Sequence, residues 1–326
     1  MKVEVENTTA SKISSALVEA RRAAGSPAMG MVLTLVVIAD EENADEAMIA
    51  AGEASKEHPS RILGVILHGG RGAARLDATI AVGEGLSGEA VLMRMYGELA
   101  KHAESVVTPL LLPESPVVVW WPQRAPARPA EDPIGRLAQR RVTDAGATKR
   151  PLTALRRVCD GYAPGDTDLA WTRTTHWRAL LAAALDQHPA KVERAVVEAD
   201  RSNASAQLIA AWLRKRLRIE TKLVTSDGPG ITACRLQTPD GDISITRPDG
   251  VLARYSIPGQ PERTVALKRR ETHELLAEEL RRLDPDDVYA EAVRALVSDR
   301  SRGKNGKANK KSHTMQKRST ARKAAR

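Results

Sequence analysis

Pro164-Gly165-Asp166-Thr167-Asp168-Leu169-Ala170-Trp171-Thr172-Arg173-Thr174-Thr175-His176-Trp177-Arg178 lies between two halves that each alternate strand-like and helix-like patterns. It holds two of the five tryptophans of a 326-residue chain that has no phenylalanine and only 3% aromatic residues. An arginine follows each of these tryptophans closely, and two aspartates precede the first. Trp and Arg are the residues most enriched at interface hot spots. Thr175 is placed to cap a helix from His176 to Asp186, with Trp177, Leu180, Leu181, Ala184 and Leu185 on one face. Trp177 then packs on that helix, whereas Trp171 and Arg173 precede the cap and are free to face outward. Asp166 and Asp168 read as turn and N-cap residues. The stretch fits two readings, a buried clasp between the halves and a partner-facing edge.

Working toward the N-terminus, Pro151 to Cys159 reads as a short helix. Asp132-Pro133 reads as an N-cap with proline at N1, opening a helix through Arg141. Pro122 to Pro133 is a Pro/Ala/Arg-rich linker. Before it, Met31–Ile38, Arg61–Leu67 and Val117–Trp121 are apolar, β-branched runs of the kind buried on both faces of a covered sheet. Arg75–Val82 alternates like a further strand, and Gly88–Met95 fits either a strand or a helix start. Helices are expected over Thr8–Arg22, stopped by Gly25-Ser26-Pro27, over Asp40–Glu57 with its acids in the first turn, and over Glu98–Thr108.

Toward the C-terminus, Val192–Val197 is a strand, and Ser202 or Asn203 caps a strong helix carrying Leu208, Ile209, Trp212, Leu213 and Leu217. Ile219–Val224 follows. Thr238-Pro-Asp-Gly241 and Arg247-Pro-Asp-Gly250 are turn sequences. They imply an antiparallel meander through Ile231–Leu236, Ile243–Thr246, Leu252–Ile257 and Thr264–Leu267. Helices close the fold over Thr272–Leu283 and Asp287–Val297. The expected architecture is α/β: two α/β lobes joined by a central helical segment, the second with a meander, plus a disordered basic tail. The expected divisions are 1–165 (linker about 122–132), 166–298 and a tail at 299–326.

The 50 basic residues outnumber the 41 acidic ones. Eleven of the 50 lie in 300–326, which holds no acid, so residues 1–299 carry 39 basic against 41 acidic side chains. Basicity belongs to the tail, which lacks the aromatic residues of a single-strand binder, so nucleic acid is expected only in nonspecific contact there. The N-terminus does not read as a signal peptide, and the longest apolar run, Ala28–Ala39, falls short of the ~20 residues that span a bilayer. Cys159 and Cys234 form no CxxC. A cytoplasmic protein without membrane attachment is expected.

Candidate chemistry is sparse. His68-Gly-Gly-Arg-Gly72 follows a strand but matches no phosphate loop, and Gly85-Leu-Ser-Gly88 does not complete an esterase motif, so a plain loop is favoured. None of the seven histidines forms an HxxxH or HExxH pair. Arg201-Ser-Asn-Ala-Ser205, at a helix start, offers an alternative reading as a sugar-phosphate enzyme or sensor, although ordinary capping accounts for the same residues. No catalytic residue, metal or cofactor is expected.

Ala163-Pro-Gly-Asp-Thr-Asp-Leu-Ala-Trp-Thr-Arg173 with Trp177-Arg-Ala-Leu-Leu181 resembles the OpcA family of glucose-6-phosphate dehydrogenase assembly proteins. Supporting matches are Gln139-Arg-Arg-Val-Thr-Asp-Ala145, Tyr96-Gly-Glu-Leu99, Thr108-Pro-Leu-Leu-Leu-Pro113, Val119-Trp-Trp-Pro122, Ala210-Ala-Trp-Leu213 and Ile243-Ser-Ile-Thr-Arg247. The Ala/Arg-rich composition is similar to that of an actinobacterial member. The resemblance implies a non-enzymatic factor that binds glucose-6-phosphate dehydrogenase and favours its active oligomer, supporting the oxidative pentose phosphate pathway as an allosteric activator. Asp166, Asp168, Trp171, Arg173, Trp177 and Arg178 are the candidate partner contacts. Family members under thioredoxin control use cysteines that neither Cys159 nor Cys234 matches, and the basic tail lies outside the resemblance.

Overall fold

The apolar runs of the first half line up side by side in one sheet. The computed structural model describes residues 1–25, 30–83 and 88–299. The Ser26-Pro27 helix stop, Gly85-Leu-Ser87 and the basic tail from Arg300 onward lie outside the described residues. The strands of this sheet are β1 (Lys2–Val5), β2 (Leu33–Ala39), β3 (Ser60–His68), β4 (Arg75–Val82), β5 (Glu89–Tyr96), β6 (Val117–Trp121), β7 (Arg140–Thr143) and β8 (Asp166–Asp168). Their order is β1-β4-β5-β3-β2-β6-β7-β8. From β5 to β8 all neighbours are parallel, while β4 runs antiparallel to β5 and β1. After edge strand β1 and helix α1 the chain enters central β2, steps to β3 and, by way of β4, to β5 on one side, then crosses to β6, β7 and β8 on the other. That is the strand order of a doubly wound dinucleotide-binding sheet, with its switch point between β2 and β6.

Alternating side chains of each central strand enter two cores. Val36, Leu63, Val65, Val119 and Trp121 pack with Ile13 and Leu17 of helix α1 (Ala10–Ala23) and Val106 and Val107 of α3 (Ala103–Val107). Leu33, Leu35, Val37, Ile62 and Trp120 pack on the other face with Ala47 and Ala51 of α2 (Ala44–Ala54). Gly64 admits α2: a β-carbon there would stand 2.6 Å from Met48 Sδ.

The second sheet takes β9 (Arg194–Ala199), β10 (Glu220–Thr225), β11 (Ile231–Thr238), β12 (Gly241–Thr246), β13 (Leu252–Ser256) and β14 (Arg263–Ala266), in the order β10-β9-β11-β12-β13-β14. Parallel β9 and β10 are linked through helix α7 (Ala204–Leu217), and the rest is the antiparallel meander with both Pro-Asp-Gly turns at its hairpins. Helix α6 (Thr175–Gln187) and α7 bury Trp177, Leu181, Ile209 and Leu213 against Val197, Leu236, Ile245 and Tyr255.

The chain then returns to the first lobe. Helix α8 (Thr272–Leu280) sets Leu275, Leu276 and Leu280 into the first sheet's core. A further helix, α9 at 287–299, brings Tyr289, Ala292, Val293 and Leu296 against Leu155 of α4 (Pro151–Asp160), Trp171 of α5 (Leu169–Thr172) and Leu208 of α7. This last cluster joins both lobes.

Several expectations are corrected. The helix over 133–141 does not form. Asp132 Oδ1 does accept from the Ile134 and Gly135 N–H groups, at 3.0 and 3.1 Å, but only a 3₁₀ turn follows, Gly135–Leu137. Gln139 is then captured by the edge of β6, exchanging bonds with both backbone groups of Val117. The linker stretch at 122–132 lies in the β6–β7 crossover of the first lobe. Strand β8 and helix α8, both beyond position 165, pack with the first sheet. Asp299, assigned to the tail, is helical and pairs with Arg214. The helices expected at Asp40–Glu57 and Glu98–Thr108 each begin as 3₁₀ turns, and Gly88–Met95 resolves as strand β5.

Candidate functional site

The Pro164–Arg178 stretch is built from its two acids outward. Asp166 accepts from Arg141 Nε at 2.5 Å and from the Ala163 N–H at 2.8 Å, which fastens β8 to β7. Asp168 is fully buried and caps α5, accepting from the Ala170 N–H at 2.8 Å, the Ala145 N–H at 3.0 Å and the Thr143 hydroxyl at 2.6 Å. Burial raises the pKa of both acids, and with the neighbouring Asp144 carboxylate it lifts Asp168 to about 6.

Trp171 does not face outward. It is 1% exposed, and its indole N–H donates to Asp286 at 2.8 Å. The Arg178 guanidinium lies 3.7 Å from its ring centroid, a cation–π contact, and Tyr289 packs on the ring at 5.8 Å. The acceptor that lets this indole enter the core lies far along the chain, where no local pattern reveals it. Thr172 donates to Glu279 at 2.6 Å, and the same buried carboxylate pairs with Arg140. Trp177 is buried in the second lobe's core, beneath the Arg247 guanidinium. Thr175, expected as the cap of α6, is its first residue and donates to Glu278 instead; Thr174 at the N-cap position donates to the Trp171 carbonyl. Arg173 and Arg178 are half-buried. Arg173 grips Asp144 with two bonds of 2.7 Å. Arg178 donates to the Thr174 and Thr175 hydroxyls, and burial lowers it to about 10, still cationic at neutral pH. Of the six candidate contacts, Asp166, Asp168, Trp171 and Trp177 therefore lie inside the protein.

Two clefts flank this stretch. The larger, about 570 Å³, opens at the C-terminal ends of β2, β6, β7 and β8, where a doubly wound sheet binds ligands. In place of a glycine-rich turn, this chain has Ala39-Asp40-Glu41-Glu42-Asn43 after β2. Asp40, Glu42, Glu46, Asp144 and Asp168 line the crevice together with Arg124, Lys149 and Arg157, and Arg124 stands 3.8 Å from Asp40. Glu41 is held by Arg94 and His68, which keep its carboxyl below the usual range. Such a strand end repels a pyrophosphate rather than cradling it. The His68–Gly72 loop is accounted for locally, since His68 stacks on Tyr96 at 4.6 Å and bonds Glu41.

The second cleft lies between α6, α7 and the meander. Asn203 and Ser205 from the expected helix start line it; Arg201 does not. Asn203 is the N-cap, accepting from the Ala206 N–H at 2.8 Å. Cys159 and Cys234 are buried and form no disulfide, and burial pushes the Cys234 thiol far up, away from reactivity. Among the described residues no group of His, Cys, Asp and Glu is arranged to hold a metal, and no helix is long and apolar enough to cross a membrane.

Comparison with known proteins gives two family matches. Residues 51–160 match the family described as glucose-6-phosphate dehydrogenase subunit N-terminal domain, and residues 164–293 its C-terminal domain. No curated protein matches. Among solved structures, an oxidoreductase domain protein from Kribbella flavida is 9% identical, with 83% of this chain and 98% of that chain covered, at a TM-score of 0.44. A 3-ketoreductase from Actinomadura kijaniata in complex with TDP-benzene and NADP is 10% identical, covering 81% and 94%, at 0.43. An oxidoreductase from Sinorhizobium meliloti is 11% identical, covering 84% and 89%, at 0.41. The two adjoining family matches run through most of both lobes and meet just ahead of Pro164, with the Asp166–Arg178 stretch inside the second, and the chain belongs to the OpcA family of glucose-6-phosphate dehydrogenase assembly proteins.

Proposed function

We propose that this protein is a non-catalytic, cytoplasmic assembly factor that binds glucose-6-phosphate dehydrogenase and favours its active oligomer, thereby supporting the oxidative pentose phosphate pathway. The observation that carries the non-catalytic reading is the acid-lined end of the first sheet. A strand order suited to a dinucleotide ends in Asp40, Glu42, Asp144 and Asp168, where a cofactor's phosphates need glycine backbone and positive charge. The family matches support the choice of partner.

The mechanism is population shift. A factor that binds the active oligomer more tightly than the inactive state moves the equilibrium by the difference in affinity, and a tenfold preference corresponds to about 1.4 kcal/mol. Shape must persist for such discrimination. Asp166, Asp168, Trp171 and Trp177 contribute by fixing the two lobes against each other as positioning residues. Arg173 and Arg178, half-buried on the same stretch, form the edge nearest the partner. The test is titration of the dehydrogenase into this protein, beside an assay of the protein alone with sugar phosphates and nicotinamide cofactors. Saturable binding without intrinsic turnover is expected. Intrinsic turnover, or no binding, contradicts the proposal.

A further inference from the structure

The cleft between α6, α7 and the meander has a charge problem that the assembly role leaves unanswered. Arg173, Arg247, Lys268, Arg269 and Arg270 line it, together with His176, Asn203 and Ser205, and no acidic side chain does. Three of these cations are neutralised from outside the cleft: Arg173 by Asp144, Lys268 by Glu274 at 2.9 Å and Arg270 by Glu278. Arg247 and Arg269 are not. Arg247 is 5% exposed and donates only to the carbonyls of Leu267 and Ile231, and its Nε has no partner. Arg269 is exposed, and its guanidinium makes no hydrogen bond or ion pair among the described residues. Burial first, and then the neighbouring Arg269, lower the Arg247 pKa, and the exposed Asp249 two residues along offsets this only in part.

The donors converge. Around Gly230, the point where a β-carbon would stand lies 3.8 Å from Arg247 Nη2, 3.9 Å from Arg269 Nε and 3.9 Å from Asn203 Nδ2. Gly250, in the Arg247-Pro-Asp-Gly turn, lets the Arg269 stem lie across it, 3.5 Å from where its own β-carbon would be. The N-terminus of the fourteen-residue helix α7 supplies Asn203 and Ser205, and its dipole favours negative charge. The cavity is about 80 Å³, several times what one water requires, and too small for a nucleotide.

We propose that this cleft binds a phosphate group, either inorganic phosphate or the phosphate end of a small monoester whose body projects outward. A buried guanidinium nitrogen without a partner and a second unpaired arginine, both lining one small cavity at the start of α7, are the chemistry of a tetrahedral oxyanion site; Asn203 Nδ2 beside them has one hydrogen for it, since the other is donated to Asp200 Oδ2 at 2.8 Å. The charge-assisted bonds come from Arg247 and Arg269, with Asn203 and the start of α7 completing the cradle. This site does not depend on the dehydrogenase-binding proposal, since it concerns the isolated protein.

The experiment is isothermal titration of the full chain with inorganic phosphate and with glycerol 3-phosphate, at constant ionic strength, with acetate as the control anion. Saturable binding of one or both phosphates and none of acetate is expected. Tighter binding of the monoester assigns the ester as ligand; equal or tighter binding of inorganic phosphate assigns the free ion. Arg269→Glu, at a side chain whose guanidinium has no hydrogen-bond or ion-pair partner among the described residues, should weaken binding about tenfold or more, with the melting temperature of the free protein unchanged. Arg254→Glu, an exposed change on the outer face of the meander, should leave binding intact. Equal heats for acetate and phosphate, no saturable heat at all, or the same loss in Arg254→Glu as in Arg269→Glu overturns the proposal.

Discussion

The two clefts stand on either side of one ion pair, and they are opposite in charge. Asp144 lines the crevice at the end of the first sheet, where five acids stand with three cations; Arg173, its partner at 2.7 Å, lines the cleft of the second lobe, among cations. The first cleft has the position that strand order assigns to a phosphate-bearing ligand and side chains that reject one. The second has no such topological claim, yet its donors converge. The contrast teaches that a sheet's winding order sets where a ligand fits, while the residues at the strand ends decide whether it binds. Here the two have come apart, and the anion-binding character has moved to the other lobe.

The largest expected effect is loss of the wall between the clefts. Trp171→Ala removes the ring at the junction of α4, α7 and α9 and leaves Asp286 and Arg178 without their partner. It should cost about 3–5 kcal/mol of unfolding free energy in urea. A cost under about 1 kcal/mol would mean that the lobes are held elsewhere. Next comes pH. Asp168 titrates near 6 in the folded protein, above the carboxylate's unfolded value, so the folded state binds this proton more tightly. Stability from this group therefore rises as pH falls from above 6 toward 4, and the gain is lost again as pH rises through 6. Asp168→Asn should remove that rise, which is on the order of 1–3 kcal/mol, from the pH profile of urea unfolding. An unchanged profile would show that Asp168 is ordinary. The smallest effect sharpens the comparison from the basic side: Arg269→Glu should change stability by less than about 0.5 kcal/mol, since the side chain packs in no core. A larger loss would mean that Arg269 holds the meander together.

Much of the fold was legible because its strongest signals are local. β2, β3 and β6 announce themselves as β-branched runs, and the two Pro-Asp-Gly turns place the meander. Asn203 signals the start of α7, and the Asp168 cap and the burial of Trp177 on α6 also follow from neighbouring residues. β7 and β8 were hidden because they are charged. Arg141 pairs with Asp166 across the strands, Arg140 pairs with Glu279 of α8, and Asp168 is satisfied by Thr143 and two backbone N–H groups, so a buried pair of strands carries no hydrophobic period. Trp171 was misplaced for the same kind of reason, since Asp286 meets its indole only after the second lobe has been traversed. The basic cleft gathers residues 203–205, 230, 247 and 268–270, and no single window contains it. The run Lys268-Arg269-Arg270 beside the Arg247 turn was the one local sign available.

The central claim is that this protein changes the assembly state of glucose-6-phosphate dehydrogenase without chemistry of its own. Sedimentation of the dehydrogenase at fixed concentration, with and without this protein, tests it most directly when activity is read from the same samples. The account predicts a shift toward the active oligomer, with activity per enzyme subunit rising in parallel. Unchanged mass and unchanged activity at saturating protein would contradict it.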